Sequence, residues 1–129
     1  MRARVLVVED EQALAQVLAI RLQAAGFEVE HASNGLEGLR RAMAWKPEAL
    51  LLDVRLPDLD GLELHARLRA HPEHSDLPVV FLSANVQDSA RQRALSQGAH
   101  AYLTKPYDPR DVVAALREAI VARSARKET

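Results

Sequence analysis

Cysteine is absent from this chain, and with it go disulfides, thiolate metal sites and cysteine nucleophiles. A long hydrophobic run is missing as well. Met1-Arg2-Ala3-Arg4 leads straight into an apolar stretch too short for a signal peptide. No segment approaches the roughly 20 apolar residues of a membrane-spanning helix. The cytoplasm is therefore the expected compartment, with no membrane partner. Nor is there an excess of either charge: 17 Lys and Arg against 18 Asp and Glu leave a formal charge of −1. That balance gives no overall pull toward nucleic acid or an anionic lipid surface. Internal repeats and low-complexity segments are lacking too. What is there is 129 residues, 48% of them apolar, which suits one domain with a buried core and excludes disorder.

The chain is organised around Leu50-Leu51-Leu52-Asp53-Val54-Arg55-Leu56-Pro57-Asp58-Leu59-Asp60-Gly61. Three consecutive leucines read as a short strand buried on both faces, as in a parallel sheet. An aspartate closes the run, and Pro57 with Asp60-Gly61 sends the chain into a loop. Earlier, Val5-Leu6-Val7-Val8 reads as another buried strand, ending in Glu9-Asp10-Glu11. A helix from Gln12 follows, with Leu14, Val17, Leu18, Leu22 and Ala25 on its inner face and Gly26 as its stop. Phe27 to Ala32 alternates as a strand. Leu36, Leu39, Ala42 and Met43 mark a shorter helix, closed before Pro47.

After the Asp53 loop, Leu62 to Ala70 is predicted as a helix. The polar stretch His71 to Asp76 leads to the strand Val79 to Leu82, which runs out into Ser83-Ala84-Asn85. The helix from about Gln87 to Gln97 has only a thin, alanine-rich face. Ala101 to Leu103 forms a last strand, and Thr104-Lys105-Pro106 follows it. Pro109 opens a final helix with Val112, Val113, Leu116, Ala119 and Ile120 inward. The expected domain spans residues 1–122, with a basic helix end or linker over 123–129.

Five strands alternating with five helices imply an α/β fold, a parallel sheet covered on both faces and joined by right-handed crossovers. In such a sheet every strand ends on the same edge, where open α/β folds bind their ligands. Glu9 with Asp10, Asp53, Ser83 and Lys105 converge there from four strands. Crowded carboxylates repel one another unless a cation intervenes, and oxygen donors without His or Cys suit a hard divalent ion such as Mg²⁺. With a lysine ammonium and a hydroxyl beside it, a carboxylate is equipped to attack phosphorus. Asp53 is the expected covalent nucleophile, and Lys105, Ser83 and the ion are expected to balance charge on the phosphoryl oxygens. Taken one at a time, these residues have plainer roles: acids favouring a helix dipole, a serine cap, a solvated lysine.

Val7-Val8-Glu9-Asp10-Glu11, Leu51-Leu52-Asp53 with Pro57 and Asp60-Gly61, Leu82-Ser83-Ala84, and Gly98-Ala99 through Tyr102-Leu103-Thr104-Lys105-Pro106 together resemble the receiver domain of two-component response regulators. The resemblance covers about residues 3 to 122. It implies the doubly wound flavodoxin-like fold of strand order 2-1-3-4-5, for which the receiver is itself a standard example. It also implies Asp53 as phosphoacceptor for a histidine kinase or phosphotransfer protein, and an output protein or attached output domain downstream. Asp10 is implied as a direct Mg²⁺ ligand, Glu9 as a ligand through water, and the Arg55 backbone carbonyl as the third. Ser83 and the Ala84 amide are implied to bind the phosphoryl group and Lys105 to pair with it. Tyr102 takes the aromatic switch position, expected to move from solvent to a buried rotamer, and the Lys105-Pro106 bond is expected to be cis. Arg55 and Asn85, two residues beyond Asp53 and Ser83, are expected to set the phosphoryl lifetime.

The resemblance further implies a signalling domain that catalyses its own phosphorylation and dephosphorylation rather than an enzyme with a separate substrate. The output face is expected on the Gln87–Gln97 helix, the last strand and the final helix. His100-Ala101 stands where many transcription-factor receivers carry two acids, which points to a monomer or weak dimer. The polar loop His71 to Asp76 resembles that of receivers found alone, in hybrid kinases or ahead of second-messenger enzymes. Two other functions fit the architecture. A flavin-binding electron carrier needs a phosphate loop where this chain has Glu9-Asp10-Glu11, whose charges repel phosphate. A phosphorylation-independent interaction module has no need of the intact acids, hydroxyl and lysine.

Overall fold

A computed structural model describes residues 2–85 and 87–128. Met1, with which the expected domain begins, and Thr129, at the end of the expected tail, lie outside the described residues. The short apolar runs form β1 (Arg4–Val8), β2 (Glu28–Ala32), β3 (Ala49–Asp53), β4 (Val79–Ser83) and β5 (Ala101–Thr104). All pair in parallel, in the order β2-β1-β3-β4-β5. Helices α1 (Gln12–Ala24), α2 (Gly35–Trp45), α3 (Gly61–Arg69) and α4 (Asp88–Ser96) make the crossovers, and α5 (Pro109–Glu128) follows the last strand. This is the doubly wound fold that the alternation of runs implies.

β3 and β4 are buried at every residue because helices cover both faces of the sheet. Successive strand residues point to opposite faces, so there are two cores. Leu6, Val8, Leu50, Leu52 and Phe81 pack with Leu64 and Leu68 of α3 on one side. Val5, Val7, Leu51, Val80 and Leu82 pack with Leu18 and Leu22 of α1 and Leu116 of α5 on the other. Each fully buried leucine contributes about 1.5–3 kcal/mol, so the Leu50–Leu52 run, feeding both cores, anchors the strand that carries Asp53.

Two residues of the predicted inner faces turn out to face solvent: Val17 is 53% exposed and Leu36 55%. In α1 the buried line is Ala15, Leu18 and Leu22, and Val17 sits one residue, about 100°, off it. In α2 the inner face is Gly35, Gly38 and Ala42. A side chain at Gly38 would meet the Val8 methyls at 2.9 Å, so α2 seats on β1 through its smallest residues and Leu36 turns outward.

α4 buries only Ala94, in keeping with its thin apolar face. Gly26 and Gly98 follow the C-caps of α1 and α4 with φ of 101° and 98°, the left-handed region where glycine has no Cβ penalty. α5 continues unbroken through 123–128. Its Arg123 donates from Nε and Nη2 to the two carboxylate oxygens of Asp76 at 3.3 and 3.1 Å. Among the described residues no helix is long and apolar enough to cross a membrane.

Candidate functional site

The parallel register brings the strand ends level at one rim: Val8 beside Leu52, Asp53 beside Leu82, Ser83 beside Thr104. Asp53, the last residue of β3, is buried. The Arg55 N–H donates to its Oδ1 at 3.0 Å and Lys105 Nζ to its Oδ2 at 2.9 Å. The loop beyond turns back sharply. The Gly61 N–H donates to the Val54 carbonyl, and a side chain at Gly61 would run into the Asp53 carbonyl. Lys105 is anchored by its own N–H, which donates to the Ser83 carbonyl at 2.8 Å, and its peptide bond to Pro106 is cis.

Glu9 is only 2% exposed. Its Oε2 accepts the Glu11 N–H at 3.1 Å, while Oε1 is buried without a hydrogen bond, with Lys105 Nζ 3.6 Å away. Burial pushes the Glu9 carboxyl up to about 7; the Glu11 N–H opposes this, and the charge of nearby Asp53 adds to it. Burial also favours loss of the Lys105 proton, but the hydrogen bond to Asp53 and the charges of Asp53 and Glu9 outweigh it and hold the ammonium above its usual pKa.

Asp10 is exposed beside them, and one carboxylate oxygen each from Glu9, Asp10 and Asp53 lie within 4.8 Å of one another. Three clustered carboxylates, two of them against one lysine and one with an orphaned buried oxygen, form a donor set that can hold a hard metal ion. The rim opens into a cavity of about 450 Å³ lined by Glu9, Asp10, Glu11, Asp53, Arg55, Ala84 and Lys105.

Residues 5–117 match the family model described as "Response regulator receiver domain". The chain belongs to the response regulator receiver domain family. Among this receiver's curated relatives, the transcriptional regulatory protein CreB of Escherichia coli is 43% identical over 116 residues, 90% of this chain and 50% of that protein. The phosphate regulon regulatory protein PhoB of Rhizobium meliloti is 39% identical over 117 residues, 91% of this chain and 52% of its own length. The chain thus spans about half the length of the curated relatives it matches. Among solved structures, a putative response regulator from Chloroflexus aurantiacus superposes with a TM-score of 0.89 at 35% identity, covering 94% of this chain and 99% of that one. A CheY-like receiver domain protein from Methanospirillum hungatei gives 0.88 at 28% identity, covering 98% and 99%. His100-Ala101 departs from the two-acid pattern, yet these curated relatives are regulators of transcription.

Not every predicted residue of the receiver reaches the cavity. Ser83 is buried and its Oγ accepts the Asn85 N–H at 3.0 Å, closing a turn, and it does not line the opening. Asn85 is exposed and its Oδ1 accepts the Gln87 N–H. Tyr102, expected to face solvent until a phosphoryl group arrives, is already 2% exposed. Its hydroxyl donates to the Asn85 carbonyl at 2.9 Å, which is why a phenol can be buried here at little cost.

Two residues that sequence patterns passed over also shape the rim. Asp58 accepts the N–H groups of Gly35 at 2.7 Å and Leu36 at 3.0 Å, fastening the Asp53 loop to the start of α2. The His31 ring nitrogen Nε2 lies 2.7 Å from the Glu9 carbonyl. A capping acid in the Pro57-Asp58 turn was a possible signal for the first; nothing in the strand pattern marked the second.

Proposed function

We propose that this receiver accepts a phosphoryl group on Asp53 from a histidine kinase or histidine phosphotransfer protein in the cytoplasm, with Mg²⁺ as cofactor. The observation that supports this most is the placement of the Asp53 carboxylate beside both the Lys105 ammonium and the Glu9–Asp10 pair. A carboxylate oxygen of Asp53 attacks the phosphorus of the phosphohistidine. The P–N bond breaks as the P–O bond forms, and the imidazole leaves with its electron pair. Lys105, already 2.9 Å from Asp53, pairs with the phosphoryl oxygens as charge builds. The Ser83 hydroxyl, still able to donate its proton, and the Ala84 N–H supply further hydrogen bonds. Asp10, Asp53 and the Arg55 carbonyl would hold the ion, with Glu9 acting through water, and a bound Mg²⁺ would offset the charge of the acids and of the incoming phosphoryl group.

Slow hydrolysis reverses the modification: water attacks phosphorus, the acyl phosphate P–O bond breaks, and Asp53 returns as carboxylate. Arg55 at the cavity wall and Asn85 beside it govern that water's approach. The receiver so acts on itself and turns over no separate substrate.

The output face is α4, β5 and α5, read by a separate protein or an attached domain, with no direct nucleic-acid contact and as a monomer or weak dimer. α4 has one buried residue, and Arg91 ties it to β5 by donating to the Tyr102 carbonyl at 3.2 Å. Leu95 of α4 and Val121 of α5 are exposed. Because the Tyr102 hydroxyl bonds the Asn85 carbonyl, displacement of residues 83–85 by a phosphoryl group reaches this face directly. The test is the intact mass of the protein after incubation with acetyl phosphate. Wild type gains one phosphoryl group with Mg²⁺ and none in excess chelator, and Asp53→Asn gains none. Equal labelling of both proteins, or labelling without the metal, would overturn the assignment and return the chain to an interaction module.

A further inference from the structure

In a parallel ladder a residue's N–H and C=O bond to residues two apart on the neighbouring strand. At the end of the β1–β2 ladder, the Glu9 N–H donates to the Ala32 carbonyl at 3.0 Å. The next rung would bring a backbone N–H from residue 34 to the Glu9 carbonyl. β2 stops at Ala32, however, and the chain turns through Ser33-Asn34 into α2. Among the described residues no backbone donor takes that place. The His31 side chain does: its Nε2 lies 2.7 Å from the Glu9 oxygen. A carbonyl can only accept, so Nε2 carries the hydrogen. His31 pairs in register with Val7 and shares the face of β2 with Val29, which packs in the α1–α5 core. Its ring therefore reaches the end of β1 from the α1 side.

The bonded carbonyl belongs to the Glu9–Asp10 peptide, which joins the buried acid to the exposed one. Its orientation sets where the Asp10 carboxylate stands relative to Glu9 and Asp53. We infer that His31 is a positioning residue for the metal site: by supplying the missing rung to the Glu9 carbonyl, it preorganises Asp10 to receive Mg²⁺. The inference rests on the metal-dependent reading of the site given above. Partners of this kind, which orient a ligand without touching the metal, set metal affinity by about 10- to 100-fold.

The test is a Mg²⁺ titration of the full chain followed by NMR at the Asp10 and Asp53 amides, with urea denaturation of the metal-free proteins alongside. His31→Leu removes the donor, and about a tenfold loss of Mg²⁺ affinity is expected. His31→Gln keeps an N–H of similar reach and is expected to bind within about threefold of wild type. His31→Asn, whose amide stops short of the carbonyl, repeats the loss should His31→Leu not fold. Wild-type affinity in His31→Leu or His31→Asn would overturn the proposal. So would equal losses in His31→Gln and His31→Leu that follow their loss of metal-free stability, because His31 would then serve the fold alone. A wild-type protein that binds no Mg²⁺ would remove the reading of the site, and the proposal with it.

Discussion

The molecule has two rims, each with an acid held by a long cation. At the carboxyl ends of the strands Asp53 meets Lys105; at the amino ends, where β4 begins and α5 finishes, Asp76 meets Arg123. The second pair is balanced. Burial works against the Asp76 charge, but the hydrogen bonds and charge of Arg123, with Lys127 Nζ 3.9 Å away, hold its carboxyl below the usual range. One acid serves two cations, half in solvent, and the pair fastens α5 to the loop before β4. The first rim is unbalanced. Lys105 faces Asp53 and Glu9 together, Asp10 stands beside them, one Glu9 oxygen has no hydrogen bond, and Glu9 titrates near 7. A clamp satisfies its charges within the chain; a binding site leaves them for something that arrives. That contrast separates the two acid–cation pairs more clearly than either distance does.

The largest expected effects concern pH and the metal-free protein. A glutamate titrates at 4.5 when unperturbed and Glu9 at about 7 in the fold. Between those values the folded state binds the proton more tightly, so stability falls as pH rises, by about 3 kcal/mol in all. His65 opposes it. This residue of α3 is 1% exposed, neither ring nitrogen has a hydrogen bond, and it lies edge-on to Phe81. Burial foremost, then the charge of Arg69, lowers its pKa from 6.5 to about 4. The fold therefore rejects a proton that the unfolded chain takes up, and stability falls as pH drops from 6.5 toward 4, again by about 3 kcal/mol.

The two slopes cancel in the wild type between pH 4.5 and 6.5. Urea denaturation in chelator should show Glu9→Gln more stable at the upper end of that window and His65→Leu more stable at the lower end. Flat profiles in both variants would mean that neither group is perturbed by burial.

Asp76→Ala sharpens the comparison from the other side. It should cost about 1 kcal/mol or less, as partly exposed pairs do, and leave the rate of Asp53 phosphorylation unchanged. A phosphorylation defect in this variant would make the lower rim more than a clamp. The smallest effect is expected at the flanks of the upper rim. Alanine at both Arg55 and Asn85 should change the rate of dephosphorylation by more than about twofold, roughly 0.5 kcal/mol of barrier; a smaller change would make them bystanders.

Much of this was legible in the sequence because strand ends in a parallel sheet share a rim by topology. Glu9, Asp10, Asp53 and Lys105 could be gathered without coordinates; Ser83 was gathered with them but lies outside the cavity lining, and Ala84 came from the family resemblance alone. What stayed hidden depends on packing distances. Gly38 decides that α2 turns Leu36 outward, since helix periodicity does not say how closely a helix seats. His31 and Asp58 bond backbone atoms on other elements, and such contacts follow from register and loop path rather than from any local pattern. Tyr102 was identified by position, but its orientation rests on the Asn85 carbonyl, a partner with no sequence signature.

The central claim is that only the rim around Asp53 answers to a phosphoryl group and passes the change to α4. The most direct test is NMR of the full chain with Mg²⁺, before and after adding beryllofluoride as a mimic of the aspartyl phosphate. The account predicts large shifts at Asp53, Ala84 and Lys105, continuing through Asn85 and Tyr102 into α4, with the amides of Asp76 and Arg123 unmoved. An unchanged Asp53 rim, or shifts at Asp76 as large as those at Asp53, would contradict it.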